Sequence, residues 1–181
     1  MVTTYYYAGA VIGKSLNTKQ ISEIYSKPTV SVEGKKYVGG LIGLYQALET
    51  NQNFNVSNVY SRSLVKGDSI VGGLIGQIEP EDKTVINFSN SYSFNQVVGA
   101  SIVGASVGKI QLVMGTFEIF FTRVFFEQSI NGNLSWTGWD SSFFASHTDG
   151  LSCYQIYTNI FLEFDPLIWG GDHLISGKKK K

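Results

Sequence analysis

The run Gly39-Gly40-Leu41-Ile42-Gly43 returns almost letter for letter as Gly72-Gly73-Leu74-Ile75-Gly76. Looser copies flank the pair, Gly9-Ala10-Val11-Ile12-Gly13 before it and Gly104-Ala105-Ser106-Val107-Gly108 after it. The leading glycines, at 9, 39, 72 and 104, are separated by 30, 33 and 32 residues. A fixed period of this size marks a repeat architecture and constrains the fold more than any other feature of the chain. A second motif keeps step with the first: an apolar residue, a hydroxyl residue, two variable positions and an aromatic. It reads Ile21-Ser22-Glu23-Ile24-Tyr25, Val56-Ser57-Asn58-Val59-Tyr60, Phe88-Ser89-Asn90-Ser91-Tyr92 and Phe121-Thr122-Arg123-Val124-Phe125. Ser26, Ser61 and Ser93 follow the aromatic in three copies, and Phe126 breaks that column.

Neither motif has the 3.6-residue apolar spacing of an amphipathic helix, and both are short between breakers. The two closest copies run on into Leu44 and Gln77 rather than into the lysine of a phosphate-binding loop, so the run reads as structure rather than as a nucleotide site. The expected fold is all-β, a parallel β-helix-like solenoid of about four repeats spanning residues 5–130. An irregular C-terminal cap is expected over 131–177, and a disordered lysine tail over 178–181. Read as one strand, the glycine run sets Val71, Gly73 and Ile75 on one face and Gly72, Leu74 and Gly76 on the other. The repeat glycines (Gly9, Gly13, Gly39, Gly40, Gly43, Gly72, Gly73, Gly76, Gly104 and Gly108) then need close backbone approach or a tight bend at each coil corner. Stacking also turns Ser22, Ser57, Ser89 and Thr122 into a hydroxyl ladder, and Tyr25, Tyr60, Tyr92 and Phe125 into an aromatic stack.

The Val-Gly-Gly-Leu-Ile-Gly core, followed about twenty residues later by Ser-Asn-x-Tyr-Ser, resembles the GLUG repeat. The match covers roughly residues 5–130 and is best in the second and third copies. The first copy lacks the second glycine, and the fourth has Ser106 for leucine and Phe125 for tyrosine. The resemblance implies a solenoid segment of a large secreted or cell-surface protein, of the kind found in adhesins and bacterial immunoglobulin A peptidases. It supplies no catalytic residue. The stretch from Phe164 to Trp169 resembles the Trp- and Asp-containing element that often closes a GLUG array, without its usual final Pro-hydrophobic pair.

Composition removes other classes. Fourteen basic residues balance 14 acidic ones, and charged residues are 15 % of the chain, against about 25 % in an average globular protein. No run interleaves basic and aromatic residues along the sequence in the manner of a nucleic-acid patch, so nucleic acid is not an expected partner. The single Cys153 excludes an internal disulfide framework and reads as a buried structural thiol. There is no signal-peptide pattern after Met1. The apolar stretch from Val97 to Gly115 is interrupted by Lys109 and by glycines in repeat register, which argues against a membrane span. The chain starts inside its first coil with little sequence for a cap, which predicts a segment of a longer protein with adjoining repeats.

Chemistry-bearing residues gather after residue 131. Trp136, Trp139 and Trp169 have two readings: a platform for sugar rings flanked by Asn and Asp, or an aromatic cap over the last open coil. His147 and His173 match no metal-ligand spacing, and neither a metal nor another cofactor is expected. The sequons at Asn55, Asn87 and Asn133 arise in part from the repeat itself, since the first two occupy the same repeat position. Regular threonine rows, which an ice-binding face would want, are absent. The acids Glu23, Glu33, Glu49, Asp68, Glu79, Glu81, Asp82 and Glu118 share no repeat position. The functional expectation is a non-enzymatic structural or adhesive segment, extracellular or at the cell surface by resemblance, with a surface glycan or a protein as partner. The alternative is a polysaccharide-binding or polysaccharide-degrading β-helix protein.

Overall fold

The computed structural model describes residues 1–111, 115–127, 134 and 149–151. Among these there is no helix, and the chain winds as a β-solenoid of about four coils. The first coil comprises β1 (Val2–Thr4), β2 (Tyr7–Gly9), β3 (Ile12–Leu16) and β4 (Gln20–Ser26). The second comprises β5 (Ser31–Gly34), β6 (Tyr37–Gly39), β7 (Ile42–Gln46) and β8 (Asn53–Ser61). The third comprises β9 (Leu64–Gly67), β10 (Ile70–Gly72), β11 (Ile75–Glu79) and β12 (Thr84–Ser93). The fourth comprises β13 (Gln96–Gly99), β14 (Ile102–Gly104), β15 (Val107–Ile110) and β16 (Phe117–Glu127), after which β17 (Asp149–Leu151) pairs with β16. Equivalent strands stack in parallel into four sheets: β1-β5-β9-β13, β14-β10-β6-β2, β15-β11-β7-β3 and β17-β16-β12-β8-β4. We call them sheets 1 to 4 in the order the chain visits them. The apolar stretch from Val97 onward is divided among the short strands β13, β14 and β15.

Register follows the repeat. Gly9 faces Gly39, Gly39 faces Gly72 and Gly72 faces Gly104 in sheet 2. Ser22, Ser57, Ser89 and Thr122 align in sheet 4, as do Tyr25, Tyr60, Tyr92 and Phe125. The tyrosines stack almost flat on one another, Tyr25 on Tyr60 at 5.6 Å and Tyr60 on Tyr92 at 5.4 Å between ring centres. A stack of this kind adds to the backbone ladder because offset parallel rings attract.

The glycine run is not one strand. β10 ends at Gly72, the chain turns at Gly73-Leu74, and β11 begins at Ile75. The period-2 assignment of faces therefore fails across the corner: Val71 enters a core made with Ala8, Val32, Val38, Val65 and Val97. Leu74 and Ile75, adjacent in sequence, both enter a second, larger core with Phe54, Phe88 and Ile86. Sheets 1 and 2 enclose the small core, and sheets 3 and 4 the large one. Between them lies a waist where backbones touch. A Cβ on Gly76 would lie 2.6 Å from the Val38 nitrogen, and one on Gly43 would lie 2.8 Å from the Ala8 nitrogen. None of the repeat glycines has a positive φ. At Gly9, Gly39, Gly43, Gly72, Gly76 and Gly108 glycine is required because neighbouring backbone leaves no room for a side chain, not because the backbone is left-handed.

Tyr45 occupies the large core with its ring stacked on Phe54 at 3.7 Å. It is fully buried, and its hydroxyl has no hydrogen-bond partner. Burial pushes its pKa up to about 12. An unpartnered buried hydroxyl costs free energy that a phenyl ring does not, so Tyr45→Phe should leave stability unchanged or raise it by about 1 kcal/mol. The raised pKa also means that the folded state disfavours the phenolate. Its contribution is intact below the ordinary tyrosine value near 10 and is lost as pH rises toward 12. Urea titrations between pH 9 and 12 should show the wild type losing more stability than Tyr45→Phe across that window.

Candidate functional surface

The longest strands, β8, β12 and β16, carry the second motif, and one backbone feature decides which of its side chains reach solvent. Glu23, Asn58, Asn90 and Arg123 occupy the same position in four coils, and each has a left-handed φ between 45° and 58°. In β8 the buried residues are Phe54, Val56, Val59 and Ser61, so the side-chain alternation slips by one residue at Asn58, as at a β-bulge. Strict alternation would put Ser57 and Tyr60, three apart, on opposite faces. The slip puts both on the outer face. A regular outer surface results, with columns of hydroxyls and tyrosines and, beside them, amides. Asn87 donates its Nδ2 hydrogen to Asn55 Oδ1 at 2.9 Å, and Asn90 Nδ2 donates to Asn58 Oδ1 at 3.1 Å.

Asparagine tolerates the left-handed region; glutamate and arginine less so. Replacing Glu23 by Asn should therefore stabilise the chain by about 0.5–1 kcal/mol. Chemical denaturation of Glu23→Asn beside Ser22→Ala, which leaves φ demands untouched, checks this.

The surface is better built for stacking than for grasping a ligand. Tyrosine faces are covered by neighbouring tyrosines, and burial raises the Tyr60 pKa, with the charge of Arg62 lowering it in part. Tyr92 is only 4 % exposed. The side chains that carry most hydrogen bonds are internal. Ser26, Ser61, Ser63, Ser93 and Asn95 are all buried where sheet 4 passes to sheet 1. Ser26 and Ser61 hydroxyls lie 2.6 Å apart, and Asn95 Oδ1 accepts from Ser61 Oγ at 2.9 Å and from the Ser63 backbone N–H at 2.5 Å. Asn95 Nδ2 donates to the Gly73 carbonyl at 2.5 Å and to Ser93 Oγ at 2.9 Å. This seam explains why the two motifs travel together. A Cβ on Gly40 would strike Ser61 Oγ, and one on Gly73 would strike Ser93 Oγ. The serine that ends one motif fills the notch left by the second glycine of the other.

Most of the acids stay apart, but Glu33 and Asp68 line one groove. Glu33 lies on sheet 1, Asp68 at the corner after it, Glu79 at the end of β11 and Glu118 on β16. Several serve turns: Glu49 Oε2 accepts from Gln52 Nε2 at 3.0 Å, and Asp82 Oδ1 accepts from the Thr116 backbone N–H at 2.9 Å. Among the described residues, no group of three His, Cys, Asp or Glu side chains is placed to hold a metal ion. Among them, too, no helix is long and apolar enough to cross a membrane. Trp136, Trp139, Trp169, His147, His173 and Cys153 lie outside the described residues, as does nearly all of the expected cap.

Stacking also assembles a feature that is not contiguous in sequence. Tyr5, Tyr6 and Tyr7 come to lie beside Lys35, Lys36 and Tyr37 of the next coil, with the Tyr37 N–H bonded to the Tyr6 carbonyl at 2.7 Å. Basic and aromatic residues thus interleave across coils although they do not along the chain.

No family model matches the sequence, and no curated protein does. Among solved structures, the chain is similar to the crystal structure of a putative immunoglobulin A1 protease from Bacteroides ovatus. The TM-score is 0.64, with 19 % identity over 91 % of this chain. It spans 50 % of that chain. At this identity the likeness carries the fold alone.

Proposed function

We propose that this chain is a non-enzymatic segment of a secreted or cell-surface protein, a stacked spacer that holds binding surfaces at fixed separation, as in an adhesin. The observation that carries the reading is where the polar and glycine chemistry goes. The Ser–Asn seam, the repeat glycines and the tyrosine column are all occupied in joining one coil to the next. A solenoid built in this way gains length by adding units, each held mainly by its neighbours. The likeness of the Val-Gly-Gly-Leu-Ile-Gly and Ser-Asn-x-Tyr-Ser motifs to the GLUG repeat supports an extracellular setting. The Bacteroides protein shares the fold, and this chain corresponds to half of it. We read the shared half as scaffold.

The polysaccharide-degrading alternative needs two carboxylates in reach of one sugar bond. Glu33 and Asp68 line one groove and are the pair that reading would need, while the other acids of the described coils sit on different sheets and turns. The test is hydrolysis: the purified chain is incubated with a polysaccharide panel and with immunoglobulin A1, and products are followed by reducing-end assay and mass spectrometry. No turnover is expected. Cleavage of any of them that survives purification to constant specific activity would overturn the reading.

A further inference from the structure

The corner between sheets 1 and 2 of the first three coils is where the scaffold departs from its own pattern. In the fourth coil this corner carries small residues, Ala100 and Ser101; in the first it carries Tyr5 and Tyr6, and in the second Lys35 and Lys36. Tyr5 is 62 % exposed and Tyr6 53 %, against the burial expected of aromatics in a packed coil. Three ammonium groups lie over aromatic rings here: Lys35 over Tyr5 at 4.6 Å, Lys36 over Tyr37 at 4.9 Å and Lys14 over Tyr7 at 5.4 Å. Beside them is a groove of about 470 Å³ lined by Tyr5, Glu33, Lys35, Lys66 and Asp68.

We propose that this corner binds an acidic polysaccharide that is sparsely charged, with a carboxylate on some of its sugars and free hydroxyls on the rest. The groove sets Lys35 and Lys66 against Glu33 and Asp68, and the ammoniums of Lys14 and Lys36, over the adjoining Tyr7 and Tyr37 rings, add the positive charge that attracts an anion. The two carboxylates would repel a densely charged polymer, yet they are good acceptors for sugar hydroxyls. Exposed tyrosine carbon takes the apolar face of a sugar ring, and the lysines reach a neighbouring carboxylate as flexible point charges. Nucleic acid fits less well. Its phosphates, one per nucleotide, would meet the Glu33 and Asp68 carboxylates of the groove, as the charges of a densely charged polysaccharide would. This site gives the proposed spacer something to present, and it stands or falls separately: hydrolysis assays test the spacer, and binding assays test the corner.

The experiment uses the whole chain, immobilised, with hyaluronate, neutral dextran, dextran sulfate and a single-stranded oligothymidylate as probes. Hyaluronate should bind at low ionic strength and be released as salt rises, because the contact is exposed and electrostatic. Neutral dextran should not bind, and dextran sulfate should bind more weakly than hyaluronate. Lys35→Ala with Lys36→Ala should weaken hyaluronate binding about tenfold, which corresponds to about 1.4 kcal/mol. Tyr5→Ala should weaken it about threefold with net charge unchanged. All three substituted positions are exposed, so the unfolding midpoint should stay at the wild-type value, which separates loss of binding from loss of fold. Hyaluronate binding that is absent, or untouched by these substitutions, overturns the proposal. So does tighter binding of oligothymidylate or dextran sulfate, which would mark the corner as a generic cationic patch.

Discussion

Gly73→Ala should cost about 3 kcal/mol and lower the melting temperature by about 10 °C, although alanine suits the backbone angles there. The Cβ would be driven into the Ala105 carbonyl of the next coil and into Ser93 Oγ. Neither neighbour is free to retreat. Ala105 belongs to a corner held through the bonds from Leu74 N–H and Ile75 N–H to the Ser106 carbonyl, at 2.7 and 3.0 Å. Ser93 Oγ donates to that same Ala105 carbonyl at 2.6 Å. Relief by lifting one coil off the other would stretch these bonds and loosen the ladders of two sheets. Gly99→Ala is the matched control. Its Cβ would meet methyl groups, Val103 Cγ2 at 2.6 Å and Val71 Cγ2 at 2.8 Å, and valine side chains can shift where a carbonyl cannot. It should cost about 1 kcal/mol. Equal effects of the two substitutions in urea denaturation would refute the claim that the corner is set by backbone contact.

The contrast between these glycines bears on what the sequence discloses. Identical letters at a constant period fix which residues stack: Gly39 on Gly72 and Tyr60 on Tyr92 follow from the period alone, because only in-register stacking keeps like on like. The path of the chain within one coil is harder to read. Val71, Gly72, Gly73, Leu74 and Ile75 look like a continuous strand. Whether the chain bends at Gly73 depends on contacts made 32 residues away, by Ala105. The slip of face at Asn58 left a local trace, since asparagine is the residue most at ease with a left-handed φ. In two of the four copies, though, that place is held by Glu23 and Arg123, which dilutes the signal. Asn95 was the least legible. It occurs in one coil only, so a search for columns passes over it. Its role appears only when Ser61, Ser63, Ser93 and Gly73, scattered over 33 residues, are brought around it. Most of the acids behave the other way, scattered in sequence and scattered in space, although stacking brings Glu33 and Asp68 to one groove. Sequence also separates Tyr5 from Lys35, a pair whose meaning comes wholly from stacking.

Asn95 carries the other large expectation. Asn95→Leu, close in size and apolar, should cost about 4 kcal/mol, because it strips partners from several buried groups at once. The Ser63 N–H and the Gly73 carbonyl would each lose a bond of 2.5 Å, and Ser61 Oγ one of 2.9 Å. Asn95→Asp tests the direction of the network as well as its strength. A carboxylate keeps the acceptor that serves Ser61 and Ser63, but it sets an oxygen against the Gly73 carbonyl where the amide had a donor. Burial and that carbonyl both disfavour the ionised form, so the folded state should hold the proton more tightly than the unfolded chain does. A folded-state pKa raised in this way leaves the variant nearest to wild type at low pH, where the acid can donate to Gly73. The deficit then grows as pH rises past the ordinary aspartate value, near 4. Denaturation of both proteins from pH 4 to 8 should show their difference widening with pH. A gap that stays constant would mean that the Asn95 amide nitrogen is not the group facing the Gly73 carbonyl, and the seam joining the two repeated motifs would have to be redrawn.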